Sequence, residues 1–183
     1  MHVTSPTSPT PTLAHLHSLL AKFESVMLIT FDQVSPVPHL RARPMGIAKL
    51  GGDCSLSFFT SASSEKVAEA LLEGTAHVTM QKDDVSITLG GRCTLTQDRA
   101  VMAPLFNKSH EAWFPQGLDD PDLALLQFHP GEAEIWDTTG VKGLQLVASM
   151  AKALFTGTEV DHAGSHARVL LPTSSLDGKN VTP

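Results

Sequence analysis

Ala76-His77-Val78-Thr79-Met80-Gln81-Lys82-Asp83-Asp84-Val85-Ser86-Ile87-Thr88-Leu89-Gly90-Gly91 is the stretch that decides the fold. Ala76, Val78 and Met80 alternate with His77 and Thr79, and Val85, Ile87 and Leu89 alternate with Ser86 and Thr88. A period of two places one set on a buried face and the other toward water, so two strands are expected. The short polar break makes the second the antiparallel partner of the first. Gly90-Gly91 then permits a bulge before Arg92 to Leu95.

Working outward, hairpins keep recurring. Val26 to Phe31 reads as a short buried strand. His39 to Leu50 reads as extended, although Pro44 and Gly46 restrict it to an edge or a bulge. Gly51-Gly52-Asp53 reads as a hairpin turn, with Cys54 to Thr60 as the return strand. Leu123 to His129 and Glu132 to Trp136 read as a further hairpin about Pro130-Gly131, with Trp136 in the core. Helices are expected where Leu13, Leu16, Leu20 and Phe23 recur at helical spacing, over Ser64 to Glu73 with Val67 and Leu71 inward, over Asp98 to Phe106, and over Leu144 to Phe155. Gly74 is a C-terminal stop. The expected fold is mainly β (α+β): a six- to seven-stranded antiparallel split β-barrel with short flanking helices, in preference to a doubly wound parallel sheet.

Three segments are expected. Residues 1-11 are a disordered leader, rich in Ser, Thr and Pro; residues 12-156 are the folded domain; residues 157-183 are a mobile tail. The net charge of −6 and the lack of a Lys/Arg-rich face argue against a nucleic-acid partner. Cys54 and Cys93 are far apart in sequence and read as reduced, buried thiols of a cytoplasmic protein. No apolar run is long enough to cross a membrane. His162 and His166 stand four apart, but Gly164 between them and the lack of further ligands argue against a metal site.

Phe58-Phe59-Thr60-Ser61 runs through Ala62-Ser63-Ser64-Glu65-Lys66 into a helix. Hydroxyls, free backbone N–H groups, the positive end of a helix dipole and a lysine converge there, as an anion requires. The plainer reading is an N-cap. Arg41 and Arg43 share one face of the strand expected to pair, through the Gly51-Gly52 turn, with the strand ending at Thr60. They either face the same pocket as the Ser/Thr turn or are solvated strand residues. No Gly-x-Gly-x-x-Gly and no Walker lysine accompanies the turn.

Arg43-Pro44-Met45, Phe58-Phe59-Thr60-Ser61, Ser64-Glu65-Lys66, Ala112-Trp113-Phe114-Pro115, Asp119-Asp120-Pro121-Asp122-Leu123 and Ala133-Glu134-Ile135-Trp136-Asp137 follow one another in order. Together they resemble the general stress protein branch of the pyridoxamine 5′-phosphate oxidase-like, FMN-binding split barrels, over roughly residues 13 to 156. The resemblance implies a homodimer with flavin sites at the subunit interface. It implies that Arg43, Pro44 and Met45 lie along the isoalloxazine ring, that Thr60, Ser61 and Ser64 supply hydroxyl or amide donors to the phosphate, and that Phe59 is among the cofactor-binding residues. Lys66 would supply the counter-charge, and Trp113 would cover the ring. FMN is the implied cofactor, with FAD possible.

The chain departs from pyridoxamine 5′-phosphate oxidases proper in three ways. Glu65 stands where those enzymes place an arginine before the lysine. Phe59 stands where they tend to carry tyrosine, and no C-terminal arginine–histidine motif follows. Pyridoxamine phosphate is therefore not the expected substrate. The expected function is a flavin-dependent oxidoreductase acting on a small molecule. The alternatives are a flavin-binding reservoir or sensor without turnover, and a split-barrel binding module that has lost its flavin. His39, His77, His110 and His129 are scattered, and any one could be a proton donor to a flavin.

Overall fold

A computed structural model describes residues 13–72, 74–137 and 166–171. The chain begins with α1 (Leu13–Leu20), followed by β1 (Ser25–Asp32), β2 (His39–Gly46), β3 (Lys49–Leu50) and β4 (Leu56–Ser61). Next come α2 (Glu65–Leu72), β5 (Ala76–Lys82), β6 (Val85–Thr96) and α3 (Arg99–Met102). Two 3-10 turns, His110–Ala112 and Gly117–Asp119, lead to β7 (Leu123–Asp137), and β8 (His166–Leu170) follows.

The strands form one antiparallel sheet in the order β2-β1-β5-β6-β7-β4-β3, with β8 added on β7. Its two edge strands, β2 and β3, are joined in the chain by only Ile47 and Ala48. The sheet must therefore curl until its edges approach, which makes the half-closed barrel that the hairpin pattern predicts. The switch between edges is visible in two bonds: Ile47 N–H donates to Glu24 O at 2.8 Å and Ala48 N–H to Ser57 O at 2.8 Å. Pro44 sits on edge strand β2, where a missing N–H costs no ladder bond.

Alternation places Val26, Leu28, Val78, Met80, Val85, Ile87 and Leu89 inside, with Phe58 and Phe128 beside them. Leu16, Leu19 and Leu20 of α1 bury against this core. A smaller cluster of Phe59, Met102, Leu123 and Leu125 lies on the other face of β4. Cys54 and Cys93 are free and buried, as expected. Burial pushes the Cys54 thiol up to about 11 and the Cys93 thiol to about 12. No helix among the described residues is long and apolar enough to cross a membrane.

Several local expectations are corrected. Arg41 and Arg43 do not lie on a strand paired with β4, because β2 pairs only with β1, and the Gly51-Gly52 turn joins β4 to the two-residue β3. The β1–β2 ladder runs through Pro44 to Gly46 and ends there, before the chain reaches that turn. The hairpin about Pro130-Gly131 is instead one 15-residue strand, β7, with a register shift opposite Gly90/Gly91. A Cβ on Gly91 would lie 2.2 Å from His129 O, so the absent side chain lets the two strands close past the irregularity.

β1 is buried on one face only, since Met27 is 37% exposed. On α2 it is Glu69 and Ala70, with Val67, that turn inward, whereas Leu71 is exposed. Gly74, at φ +63°, lies just beyond that helix, as a stop requires. Trp136 is 37% exposed rather than core. His166 belongs to β8, an eighth strand within the segment expected to be mobile. The expected leader, the helix over Leu144 to Phe155 and His162 lie outside the described residues.

Candidate functional site

The site is built where β4 gives way to α2. Ser64 precedes the helix, and its carbonyl accepts the N–H groups of Val67 at 3.0 Å and Ala68 at 3.2 Å. Its hydroxyl does not cap the first turn. It donates back to Ser61 O at 2.7 Å and lies 3.5 Å from the Thr60 hydroxyl. The positive end of α2 therefore keeps its first amides uncapped by Ser64.

Lys66 stands in the first turn of α2, half-buried. Among the described residues it makes no ion pair or hydrogen bond. Burial and the neighbouring Arg43 charge both press its ammonium below the ordinary lysine value. Lys66 thus sits within the field of a second cation and has no anionic partner of its own among the described residues.

Arg43 is held from behind. Its Nη1 donates to Thr30 Oγ1 at 2.5 Å and its Nη2 to Glu69 Oε2 at 2.9 Å. Thr30 also donates to Glu69 Oε2 at 2.5 Å, and Arg41 Nη1 donates to Glu69 Oε1 at 2.9 Å. Burial alone would raise the Glu69 carboxyl, but the Thr30 and Arg43 hydrogen bonds outweigh it and hold the group below its ordinary value. Glu65 turns away from Lys66 and accepts from Arg41 Nη1 at 2.7 Å. The acid that replaces an arginine in the oxidase pattern therefore neutralises Arg41 and leaves Lys66 alone. Beside Arg41, a cavity of about 410 Å³ opens between α2 and the β1–β2 connection, walled by Phe31, Val34, Pro36, Ala68 and Leu72.

Asp122, just before β7, closes the turn from the other side. Its carboxylate accepts from the Ser61 hydroxyl, from Ser63 N–H at 2.8 Å and from Ser63 Oγ at 2.9 Å. Its carbonyl accepts from Ala62 N–H at 2.7 Å. These donors hold the Asp122 carboxyl below its ordinary value, the Ser61 hydroxyl contributing most.

The expected site residues divide accordingly. Thr60, Ser61 and Ser64 are joined to one another at the junction, Lys66 stands in the first turn of the helix that follows, and Arg43 is held on β2 by Thr30 and Glu69, near enough for its charge to act on Lys66. Met45 shares the face of Arg43 but is buried in the core, and Pro44 points to the opposite, exposed face of β2. The Phe59 side chain lies on the far face of β4 from Thr60, 4.7 Å from the His110 ring and 5.3 Å from that of Phe106 between centroids. Trp113 follows a 3-10 turn and is 82% exposed. Among the described residues, no group of histidine, cysteine and carboxylate side chains could hold a metal.

Sequence reading missed Glu69 and Asp122. Glu69 had a faint signal, an acid three residues after Lys66 on one helix. Asp122 had none at the turn, which lies about 60 residues away in sequence.

A family model described as pyridoxamine 5′-phosphate oxidase like matches residues 12–161. The chain belongs to this family. Solved structures agree. A general stress protein 26 from a Jannaschia species is 26% identical over 85% of this chain and 95% of that one, with a TM-score of 0.60. A general stress family protein of Xanthomonas campestris is 30% identical over 68% of this chain and 86% of that one, at 0.55. The general stress FMN/FAD binding protein of Xanthomonas citri is 25% identical over 71% and 90%, at 0.56. No curated protein matches the chain. Membership in the general stress branch accounts for the split-barrel curl and for the motifs that frame the β4–α2 junction.

Proposed function

We propose that this general stress-type protein binds FMN, with the phosphate at the β4–α2 junction, and serves as a flavin-dependent oxidoreductase for a small molecule. The observation that carries the reading is the half-buried Lys66, without an anionic partner among the described residues and set against Arg43. Desolvating a cation beside a like charge is unfavourable, and a bound phosphate dianion would reverse the sign of that interaction. Thr60, Ser61 and Ser64 would supply hydroxyl or amide donors, and the α2 dipole adds attraction. A relative named for FMN/FAD binding supports the class of ligand. Bound flavin would supply the two-electron chemistry; the chain's own part is to hold and orient it.

The site is proposed to lie at a homodimer interface. The outer face of β1 and β2 pairs Met27 with Pro44, Ile29 with Ala42 and Phe31 with Leu40, an apolar stripe in which Leu40 is 68% exposed. A second copy is the proposed cover. On this reading Pro44 and Trp113 reach the ring from surfaces that face the partner.

The visible absorption spectrum of purified protein tests the proposal. Flavin bands, or their appearance on adding FMN, are expected; colourless protein that takes up no FMN would leave only the flavin-free module. A second reading, flavin binding without turnover, draws on the histidines. His110 packs against Phe59 and Phe106, and His129 Nε2 pairs with Thr94 Oγ1 at 3.0 Å, so both are engaged away from the junction. Steady-state oxidation of NAD(P)H or of a small substrate by the loaded protein would remove that reading.

A further inference from the structure

Asp122 has no place in the anion-binding reading of the turn, yet it makes more contacts there than any hydroxyl does. It takes the Ser61 hydroxyl, the Ser63 hydroxyl and the Ser63 amide on one carboxylate, and the Ala62 amide on its carbonyl. The segment bearing it is itself fixed. Arg99 Nη2 donates to Asp120 O at 2.6 Å, Gln97 Nε2 donates to Pro121 O at 2.9 Å, and Asp122 N–H donates to Asp120 Oδ1 at 2.9 Å. The ladder of β4 with β7 begins at the next pair, Ser61 with Leu123. A carboxylate anchored in this way is not a mobile plug.

We propose that Asp122 is a positioning residue for the flavin phosphate: it grips the outer side of the Ser61–Ser63 turn so that the inner side, Thr60, Ser64 and the first amides of α2, is held toward Lys66 before ligand arrives. The inference rests on the flavin reading and deepens it. It assigns the Asp119-to-Leu123 motif a physical task. A carboxylate holds the hydroxyls and the amide that the phosphate does not use, and it makes no ion pair with the cation that the phosphate does use. An acid so placed fixes the turn without neutralising Lys66. Ser61 accordingly serves the phosphate through its backbone position rather than its hydroxyl.

The test compares FMN with riboflavin, which lacks the phosphate, in the wild type and in Asp122→Asn and Asp122→Ala. Fluorescence titration is expected to show FMN affinity about tenfold weaker in Asp122→Ala, as when one residue must be ordered anew on binding. Asp122→Asn, which keeps an acceptor for Ser63 N–H, is expected to fall between Asp122→Ala and the wild type, so it carries the test if the alanine variant folds poorly. Riboflavin affinity should not move in either. Equal losses for both ligands would show a merely structural role, and unchanged FMN affinity would show no role; either overturns the inference while leaving the flavin reading intact. If the wild type binds neither flavin, that reading fails on its own. The clamp is then judged by amide hydrogen exchange over residues 61–66, and unchanged protection in Asp122→Asn overturns it.

Discussion

Glu69 of α2 and Arg43 of β2 meet at 2.9 Å, 26 residues apart in sequence, and the carboxylate that receives Arg43 also receives Arg41. Its side chain is only 7% exposed. One buried acid therefore commits two arginines and leaves the first-turn lysine of its own helix uncompensated. The charge pattern of the site follows from this one pairing.

Removing the acid should be costly. Glu69→Ala would leave Arg43 facing Thr30 and Lys66 with no counter-charge. A loss of about 3 kcal/mol is expected, the low end for breaking a buried pair because both arginines still reach water. Urea unfolding checks it, and a loss under about 0.5 kcal/mol, typical of an exposed pair, would show that the network does not hold the helix to the sheet.

Lys66→Ala should act on binding rather than on stability. A charge-assisted hydrogen bond to phosphate is lost, so FMN affinity should weaken by about 10- to 100-fold while riboflavin affinity stays put. Isothermal titration with both ligands decides this. Unchanged FMN affinity would move the phosphate elsewhere.

Two pH limbs are expected, with opposite origins. Asp122 and Glu69 titrate below their ordinary values of 3.8 and 4.5 in the folded chain. The stability each contributes is fully present above those values and is lost as pH falls through the lower folded ones. Thermal unfolding should therefore show a drop below about pH 4.5 that Glu69→Gln reduces. Lys66 titrates below 10.5 when no anion is bound. A lowered lysine favours its neutral form, so FMN affinity should begin to fall on the alkaline side before pH 10.5 is reached. Riboflavin should show no such limb, and a matching decline would rule out Lys66 as its source.

Gly91→Ala tests the long strand. Its Cβ would collide with His129 O at 2.2 Å and with the Phe128 ring at 2.8 Å, so the β6–β7 pairing must shift. Destabilisation of about 2 kcal/mol or more is expected in chemical unfolding, since the obstacle is backbone rather than a flexible side chain. Gly52→Ala, with nothing near its added carbon, should cost far less.

Charging the apolar outer stripe tests the proposed assembly. Leu40→Asp with Ala42→Glu places two acids where a second copy would seat. A shift from dimer to monomer in sedimentation equilibrium is expected. An unchanged dimer would place the interface on another surface, and a wild-type monomer would remove it.

Much of the barrel was legible because its signals are local. Alternation in Ala76–Met80 and Val85–Leu89 needs only a chain with one wet and one dry side. Pro44 announced an edge because its nitrogen carries no hydrogen. Gly90-Gly91 announced a bulge, but Pro130-Gly131 looked like a turn because the same residue types serve both; the partner strand opposite Gly91 makes it a bend. β8 was missed because a short segment beyond a polar stretch becomes a strand only when β7 offers an open edge.

The sequence by itself determined the β5–β6 hairpin, the edge character of β2, the buried thiols, and the hydroxyl-rich turn that ends β4 beside Lys66. These rest on covalent constraints and on the period of a strand, both set within a few residues. Only the tertiary structure decided what that turn faces. Barrel closure brings Asp122 onto the serines, Glu69 onto Arg43 and Arg41, and Glu65 away from Lys66. Electrostatic partners are chosen by distance in space, and the curl of the sheet sets those distances across gaps of 24 to 61 residues. Glu65, which in sequence stands where the oxidases place an arginine before the lysine, serves Arg41 and leaves the lysine available to an anion.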